Sequence, residues 1–275
     1  MTSLRRFILK YEDNAPALFN WLRYILHVVI MKDTVYPTVT KKIFKIIDSQ
    51  TSMAIDVGAN VGVVTRYFSR HFAITHAIEP LPYLSARLKQ LENNRIKVHQ
   101  CAVGAEDGEI TIRTPIGFDG QLFHALSTAS KSNTLSMFKH EKEVTCTVPL
   151  KRLSTIISEA PLTVGYLKID VEGFEYEVML GATDIVKDRP LIQIEISKLH
   201  NPKYELILSF FNEKNYVGFS FESHNLADDM LNCIASQSIS TNQTAKVLTQ
   251  CKYEFLFIPN EKMHMFKHLI IESTI

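Results

Sequence analysis

The stretch Asp56-Val57-Gly58-Ala59-Asn60-Val61-Gly62 constrains this chain more than any other. It follows a short apolar run, SMAIDV, and leads directly into VVTRYFSRHF, whose apolar spacing is helical. A strand that breaks into glycines and restarts as a helix is the opening unit of an α/β fold, and the carboxyl ends of such strands are where nucleotide-like ligands bind. Gly58 and Gly62 permit a tight turn and close backbone approach because neither carries a β-carbon.

The alternation continues downstream. THAIE reads as a second strand, PLPYLSARLKQLENN as a helix opened by prolines, and IKVHQCAV as a third strand. After Val103 the rhythm breaks: GAEDGEITIRTP and EVTCTVPL are extended, with a polar loop over 116–140 between them. We expect an antiparallel elaboration of the sheet edge here, with a loop beside the site. The rhythm resumes with the strand VGYLKID, the helix GFEYEVMLGATDIV, the strand PLIQIEI, the helix KYELILSFFNEKN, and the strands YVGFSF and KYEFLFIP. The polar stretch 223–250 reads as a loop with at most one helix. Right-handed crossovers between such strands give a doubly wound, mostly parallel sheet. Residues 1–50 read as an N-terminal helical extension and 51–275 as the main domain.

Composition narrows the class further. Apolar residues make up 46% of the 275, enough for a substantial core, and 30 Lys plus Arg balance 29 Asp plus Glu. That balance gives no general nucleic-acid-binding surface. The four cysteines form no C-x-x-C pair and suit a reducing compartment. The N-terminus does not read as a signal peptide, and the apolar stretch Trp21–Met31 is too short to span a bilayer, so a cytoplasmic protein without a transmembrane segment is expected.

The glycine spacing separates two kinds of ligand. A pyrophosphate cofactor usually comes with G-x-G-x-x-G, whereas this loop is G-x-x-x-G with Asp56 two residues ahead of it. An acid there would repel a diphosphate but tolerates S-adenosylmethionine, whose amino-acid end carries an ammonium. Glu79 closes the second strand, 17 residues after Gly62, where a carboxylate accepts both ribose hydroxyls of an adenosine.

MAIDVGANVGVVT, AIEPLPYLSARLKQ, CAVGAEDGEITI and LKIDVEGFEYEVMLGA together resemble the FkbM-type methyltransferases over residues 52 to 200, and the closing YEFLFIP fits as well. The segment KIDVEG-x-E followed by a helix ending in Gly-Ala carries most of that resemblance. It implies a Rossmann-like class I methyltransferase fold, with a mostly parallel seven-stranded sheet and an antiparallel last strand. It also implies S-adenosylmethionine as donor and a hydroxyl of a sugar, glycan or other small molecule as acceptor. The implied cofactor contacts are Asp56, Gly58, Asn60, Gly62 and Glu79, with Ala59 and Pro80 beside them and Ala102 and Val103 along the adenine.

The second constellation is Lys168, Asp170, Glu172 and Glu175, with Glu195 ending the neighbouring strand. Lys168 and Asp170 are two apart on a strand and share a face. Gly173 permits a sharp turn that presents Glu172. Methyl transfer to an oxygen requires a group that positions the hydroxyl and removes its proton, so Asp170, Glu172 and Glu195 are the catalytic candidates. Asp170 and Glu195 also suit magnesium, but no third ligand is evident, and no metal is expected. His124, His140 and His200, with Ser127 and Thr128, lie where an acceptor would sit, while His264 and His268 read as surface residues. Two other readings remain open: a nicotinamide-dependent oxidoreductase on the same sheet, and a methyltransferase-like domain that only binds.

Overall fold

In the computed structural model the described residues are 38–116, 122, 126–130, 142–158, 160, 162–196, 201, 203–220, 231–234 and 253–271. The stretch Trp21–Met31, His124, His140 and His200 lie outside them, as do most of the loop 116–140 and of 223–250.

The first strand, β1 (Met53–Val57), is buried along its whole length. That explains its continuous apolar run, since a central parallel strand is covered on both faces. It pairs in parallel with β2 (Ile74–Ile78) on one side, and β2 with β3 (Ile96–His99). A departure from the main sheet follows: β4 (Ala102–Val103), β5 (Gly108–Ile116) and β6 (Lys142–Lys151) form a separate three-stranded sheet in the order β4-β6-β5. The expected third strand therefore splits. Beyond His99 the chain leaves the main sheet, and Ala102 and Val103 pair instead with Leu150 and Lys151. The elaboration after Val103 is thus a second sheet and not an extension of the first one's edge.

On the other side of β1 lie β7 (Val164–Ile169) and β8 (Leu191–Ile196), both parallel to it. Then β11 (Tyr253–Pro259) inserts antiparallel between β8 and β9 (Tyr216–Ser220). The seven core strands run β3-β2-β1-β7-β8-β11-β9, the Rossmann-like class I methyltransferase order, with β11 antiparallel as expected. Beyond β9 the sheet gains β10 (Leu231–Ile234) and β12 (Ile270–Ile271), making nine strands. Residues 231–234, expected in a loop or helix, are thus a strand, because β9 offers them an open edge.

Helices cover both faces. On one, α1 (Thr38–Ile46) and α2 (Val63–Phe68) pack a cluster in which Phe44 lies 4.9 Å from Phe72 and 5.0 Å from Tyr166, ring to ring, both edge-on. The described end of the expected N-terminal extension is therefore packed on the sheet. Next in sequence are α3 (Pro82–Lys89) and the single turn α4 (Leu153–Ile156). On the opposite face, α5 (Glu175–Gly181) and α6 (Tyr204–Glu213) cover β7 and β8. Gly181 ends α5 against the second sheet, where a β-carbon would stand 1.9 Å from the Gly104 carbonyl oxygen. That contact accounts for the glycine of the Gly-Ala pair.

Candidate functional site

The parallel register brings three strand ends to one rim: Val57 stands opposite both Ile78 and Ile169. The loops leaving β1, β2 and β7 therefore meet, and the site is built from them.

The loop after β1 is tied to the end of β2, since the N–H groups of Gly58 and Ala59 both donate to the Ile78 carbonyl, at 3.0 and 3.1 Å. Gly58 has φ +81°, and a β-carbon there would stand 1.8 Å from the carbonyl oxygen of Asp170. Glycine is required at this point by the neighbouring strand, before any ligand arrives. Asn60, at φ +50°, turns its N–H toward Glu79.

Glu79 is the most constrained acid of the site. It is 5% exposed. One carboxylate oxygen accepts the Asn60 N–H at 2.9 Å and the other the Leu81 N–H at 3.0 Å. Burial nevertheless outweighs these two bonds and pushes its pKa up to about 7. Each oxygen keeps a lone pair for a further donor.

Glu79 lines a cavity of about 200 Å³ together with Gly58, Asn60, Pro80, Ala102, Val103, Asp170 and Glu172. Leu81, Cys101, Ile112, Ser127, Ala129 and Phe174 complete much of the wall. Ser127 and Ala129 come from the loop expected beside the site, whereas Ile112 comes from the second sheet, which no local sequence signal placed over the crevice. Asp56, Ala59 and Gly62 do not line this cavity. Asp56 is fully buried behind the loop, where one oxygen accepts the Thr65 hydroxyl at 2.6 Å and the other is 4.0 Å from Lys168 Nζ. Burial raises its pKa, against the opposing pull of Lys168 and Thr65. Gly62, at φ +80°, begins α2 beneath Leu88 and Leu91.

Lys168 joins the two acid groups. It is 4% exposed, and its ammonium lies 3.0 Å from Asp170 Oδ2. Burial alone would lower its pKa, but Asp170, Asp56 and Glu254 together raise it above the ordinary lysine value. Glu254, on β11, accepts the Gln193 side-chain N–H at 2.8 Å, and Gln193 in turn accepts the Tyr166 hydroxyl at 2.7 Å. Burial pushes Glu254 up to about 7, with Lys168 opposing. Sequence reasoning missed Glu254 because it lies in a strand remote in the chain from the other acids.

At the ends of β7 and β8 the structure brings the three catalytic candidates together. Ile169 and Ile194 are paired, so Asp170 and Glu195 follow side by side. The loop residue Glu172 joins them: the carboxylates of Asp170, Glu172 and Glu195 each offer an oxygen, all within 4.8 Å of one another, and all three residues are half-buried. The third oxygen ligand that the strand-end pair lacked is therefore Glu172. Among the described residues this is the group able to hold a hard cation, and the same cluster can equally hold a proton in transit. Of the hydroxyl candidates, Ser127 is bonded to Thr114 at 2.8 Å and Thr128 to the Glu172 carbonyl at 2.6 Å. His264 and His268 fall in 3₁₀ turns after β11, away from the site.

The chain is similar to known methyltransferases. The family described as Methyltransferase FkbM domain matches residues 56–217. Methyltransferase 1 of Beauveria bassiana (strain ARSEF 2860) is 29% identical over 149 residues, which are 48% of this chain and 59% of that protein. Among solved structures, the methyltransferase FkbM of Methylobacillus flagellatus KT is 17% identical with a TM-score of 0.44, over 76% of this chain and 44% of that one. A SAM-dependent O-methyltransferase of Thermotoga maritima is 13% identical with a TM-score of 0.41, over 86% of this chain and 71% of that one. This chain thus spans less than two thirds of the curated relative, and less than half of the first of those structures. Among the described residues, no helix is long and apolar enough to cross a membrane.

Proposed function

Because this chain belongs to the FkbM methyltransferase family, we propose that it transfers a methyl group from S-adenosylmethionine to a hydroxyl oxygen of a small-molecule or glycan acceptor. The observation that carries this reading is Glu79: a buried carboxylate at the end of β2, organised by two backbone N–H groups, facing a cavity with apolar walls. The residues present fit the cofactor. Glu79 retains lone pairs for the two ribose hydroxyls, Pro80, Leu81, Ala102 and Val103 offer apolar flanks to an adenine, and no set of phosphate-binding glycines stands in the loop.

When bound, S-adenosylmethionine supplies a methyl group on a sulfonium, open to attack by an oxygen nucleophile. The chain's own contribution is positioning and proton removal. Asp170 and Glu172 line the cavity in which the acceptor hydroxyl would sit, Glu195 stands beside them, and one of these carboxylates takes its proton. Lys168 holds Asp170 in place through the 3.0 Å ion pair. The walls formed by Ile112, Ala129 and Phe174 limit water around the reacting oxygen. In a second reading, favoured by the three convergent oxygens, Asp170, Glu172 and Glu195 would hold a divalent cation, whose Lewis acidity would favour loss of the hydroxyl proton.

Calorimetry tests the first step: S-adenosylhomocysteine binds and NAD does not. Incubation with labelled S-adenosylmethionine and a panel of methyl glycosides, polyols and hydroxylated aliphatic compounds then tests transfer. Binding without transfer to any of them would favour a domain that only binds, and tight NAD binding would favour the oxidoreductase.

A further inference from the structure

The loop joining β7 to α5 is held from two sides in a backbone shape that Gly173 accommodates but Glu172 does not favour. Glu172 has φ +53° and Gly173 follows at φ +105°. The left-handed conformation is disfavoured for any residue with a β-carbon, and it persists where the surroundings over-determine it, most often at functional sites. Two buried side chains do this here. On one side Glu175, 1% exposed, accepts the Val171 N–H at 3.2 Å and the Gly173 N–H at 3.1 and 3.0 Å through its two oxygens. On the other, Thr128, also 1% exposed, donates its hydroxyl to the Glu172 carbonyl at 2.6 Å.

Thr128 is itself fixed. Its backbone N–H and carbonyl pair with those of Arg113 on β5, at 3.0 and 2.9 Å, and its hydroxyl accepts the Ser130 N–H at 3.0 Å. The second sheet is therefore anchored to the turn that carries Glu172, across 44 residues of sequence. Neither Thr128 nor Glu175 lines the cavity, so neither is placed to touch cofactor or acceptor.

We propose that Thr128 and Glu175 are positioning residues that act through Glu172: they lock its left-handed backbone, and that backbone brings its carboxylate to those of Asp170 and Glu195. A relaxed, right-handed Glu172 would point its β-carbon in another direction and leave two acids where there are now three. The Glu175 carboxylate bonds the N–H groups of Val171 and Gly173, and the Thr128 hydroxyl bonds the Glu172 carbonyl, so the peptide unit joining Glu172 to Gly173 is held through both its N–H and its carbonyl. The functional part of this inference rests on the methyl-transfer reading; the structural part does not.

The test uses Thr128→Val, which keeps the shape and removes the donor, Thr128→Ser, which keeps the donor, and Glu175→Gln, which loses one acceptor. In crystal structures, Thr128→Val and Glu175→Gln are expected to release Glu172 from positive φ or to move its carboxylate away from Asp170 and Glu195, while Thr128→Ser leaves it in place. S-adenosylhomocysteine affinity stays within about threefold of wild type in Thr128→Val. With any hydroxyl compound methylated in the panel, its kcat falls about 10- to 100-fold at little-changed KM, and Thr128→Ser restores it. Glu172 unmoved in both crystal structures overturns the proposal, as does an unchanged kcat in Thr128→Val. If Glu175→Gln fails to fold, Thr128→Val alone decides both points. Wild-type protein that binds no S-adenosylhomocysteine refutes the methyl-transfer reading instead, and the crystallographic comparison still decides the lock.

Discussion

If Glu79 receives the ribose hydroxyls, cofactor binding must depend on pH in a calculable way. Its carboxyl titrates near pH 7 in the free protein, because burial outweighs the N–H groups of Asn60 and Leu81. Hydroxyl donors from a ribose bond more strongly to the ionised form, so the ligand selects it and releases a proton where it was absent. For a ligand that binds only the ionised form, apparent affinity scales with the ionised fraction. From pH 8 to pH 6 that fraction falls from about 0.9 to about 0.1, so S-adenosylhomocysteine should bind about tenfold more weakly at pH 6. Calorimetry in two buffers of different ionisation enthalpy should detect release of about half a proton at pH 7. Glu79→Gln should abolish the dependence and bind about 1–3 kcal/mol more weakly. The variant also loses stability, because a Gln amide nitrogen cannot accept one of the two backbone N–H groups, leaving a buried donor unpaired at a cost of about 1–3 kcal/mol. Glu254→Gln serves as the control and should retain the slope. Affinity that is flat between pH 6 and pH 8, or a slope that survives in Glu79→Gln, refutes the reasoning.

Gly58→Ala combines a left-handed backbone with a β-carbon 1.8 Å from the Asp170 carbonyl, so urea denaturation should show a loss of about 2 kcal/mol or more, with S-adenosylhomocysteine binding lost alongside. Asp170→Asn retains an oxygen for Lys168 but cannot take a proton. Turnover should fall by about two to four orders of magnitude while cofactor affinity holds, and a drop of less than about tenfold moves the base to Glu172 or Glu195. Activity lost to a chelator and restored by magnesium would instead assign those carboxylates to a cation. His76, on β2, is depressed to about 4, first by burial and then by His99, whose ring stacks on it with nitrogens 3.0 Å apart. A depressed pKa means that its contribution is fully present above about pH 6.5 and is lost as pH falls toward 4. His76→Gln should flatten the acid limb of the melting temperature between pH 6.5 and 4, and an unchanged limb assigns that loss to other groups.

Where local chemistry governs, the amino-acid order was informative. The apolar run of β1, the glycines at 58 and 62, the strand-end acid Glu79 and the turn at Gly173 all follow from strand burial or from positive φ, which neighbouring residues impose on one another. Locality has a limit at Asp56: its place in the motif was clear, but only the packing shows that Thr65 and Lys168 draw its carboxylate behind the loop. The separate sheet after Val103 and the strand at 231–234 depended on which edge was available for pairing, which spacing along the chain does not encode.

The sequence by itself determined that strands and helices alternate, where the strands break into loops, and which acids end them, because each of these is written in residues a few positions apart. Only the tertiary structure decided that Glu172 completes the cluster of Asp170 and Glu195, that Ile112 and Phe174 help to wall the crevice, and that Thr128 reaches the turn across 44 residues. The physical reason is range: backbone preference and hydrophobic period act within a turn or a strand, whereas convergence of side chains depends on which strands lie side by side and how the second sheet packs over them.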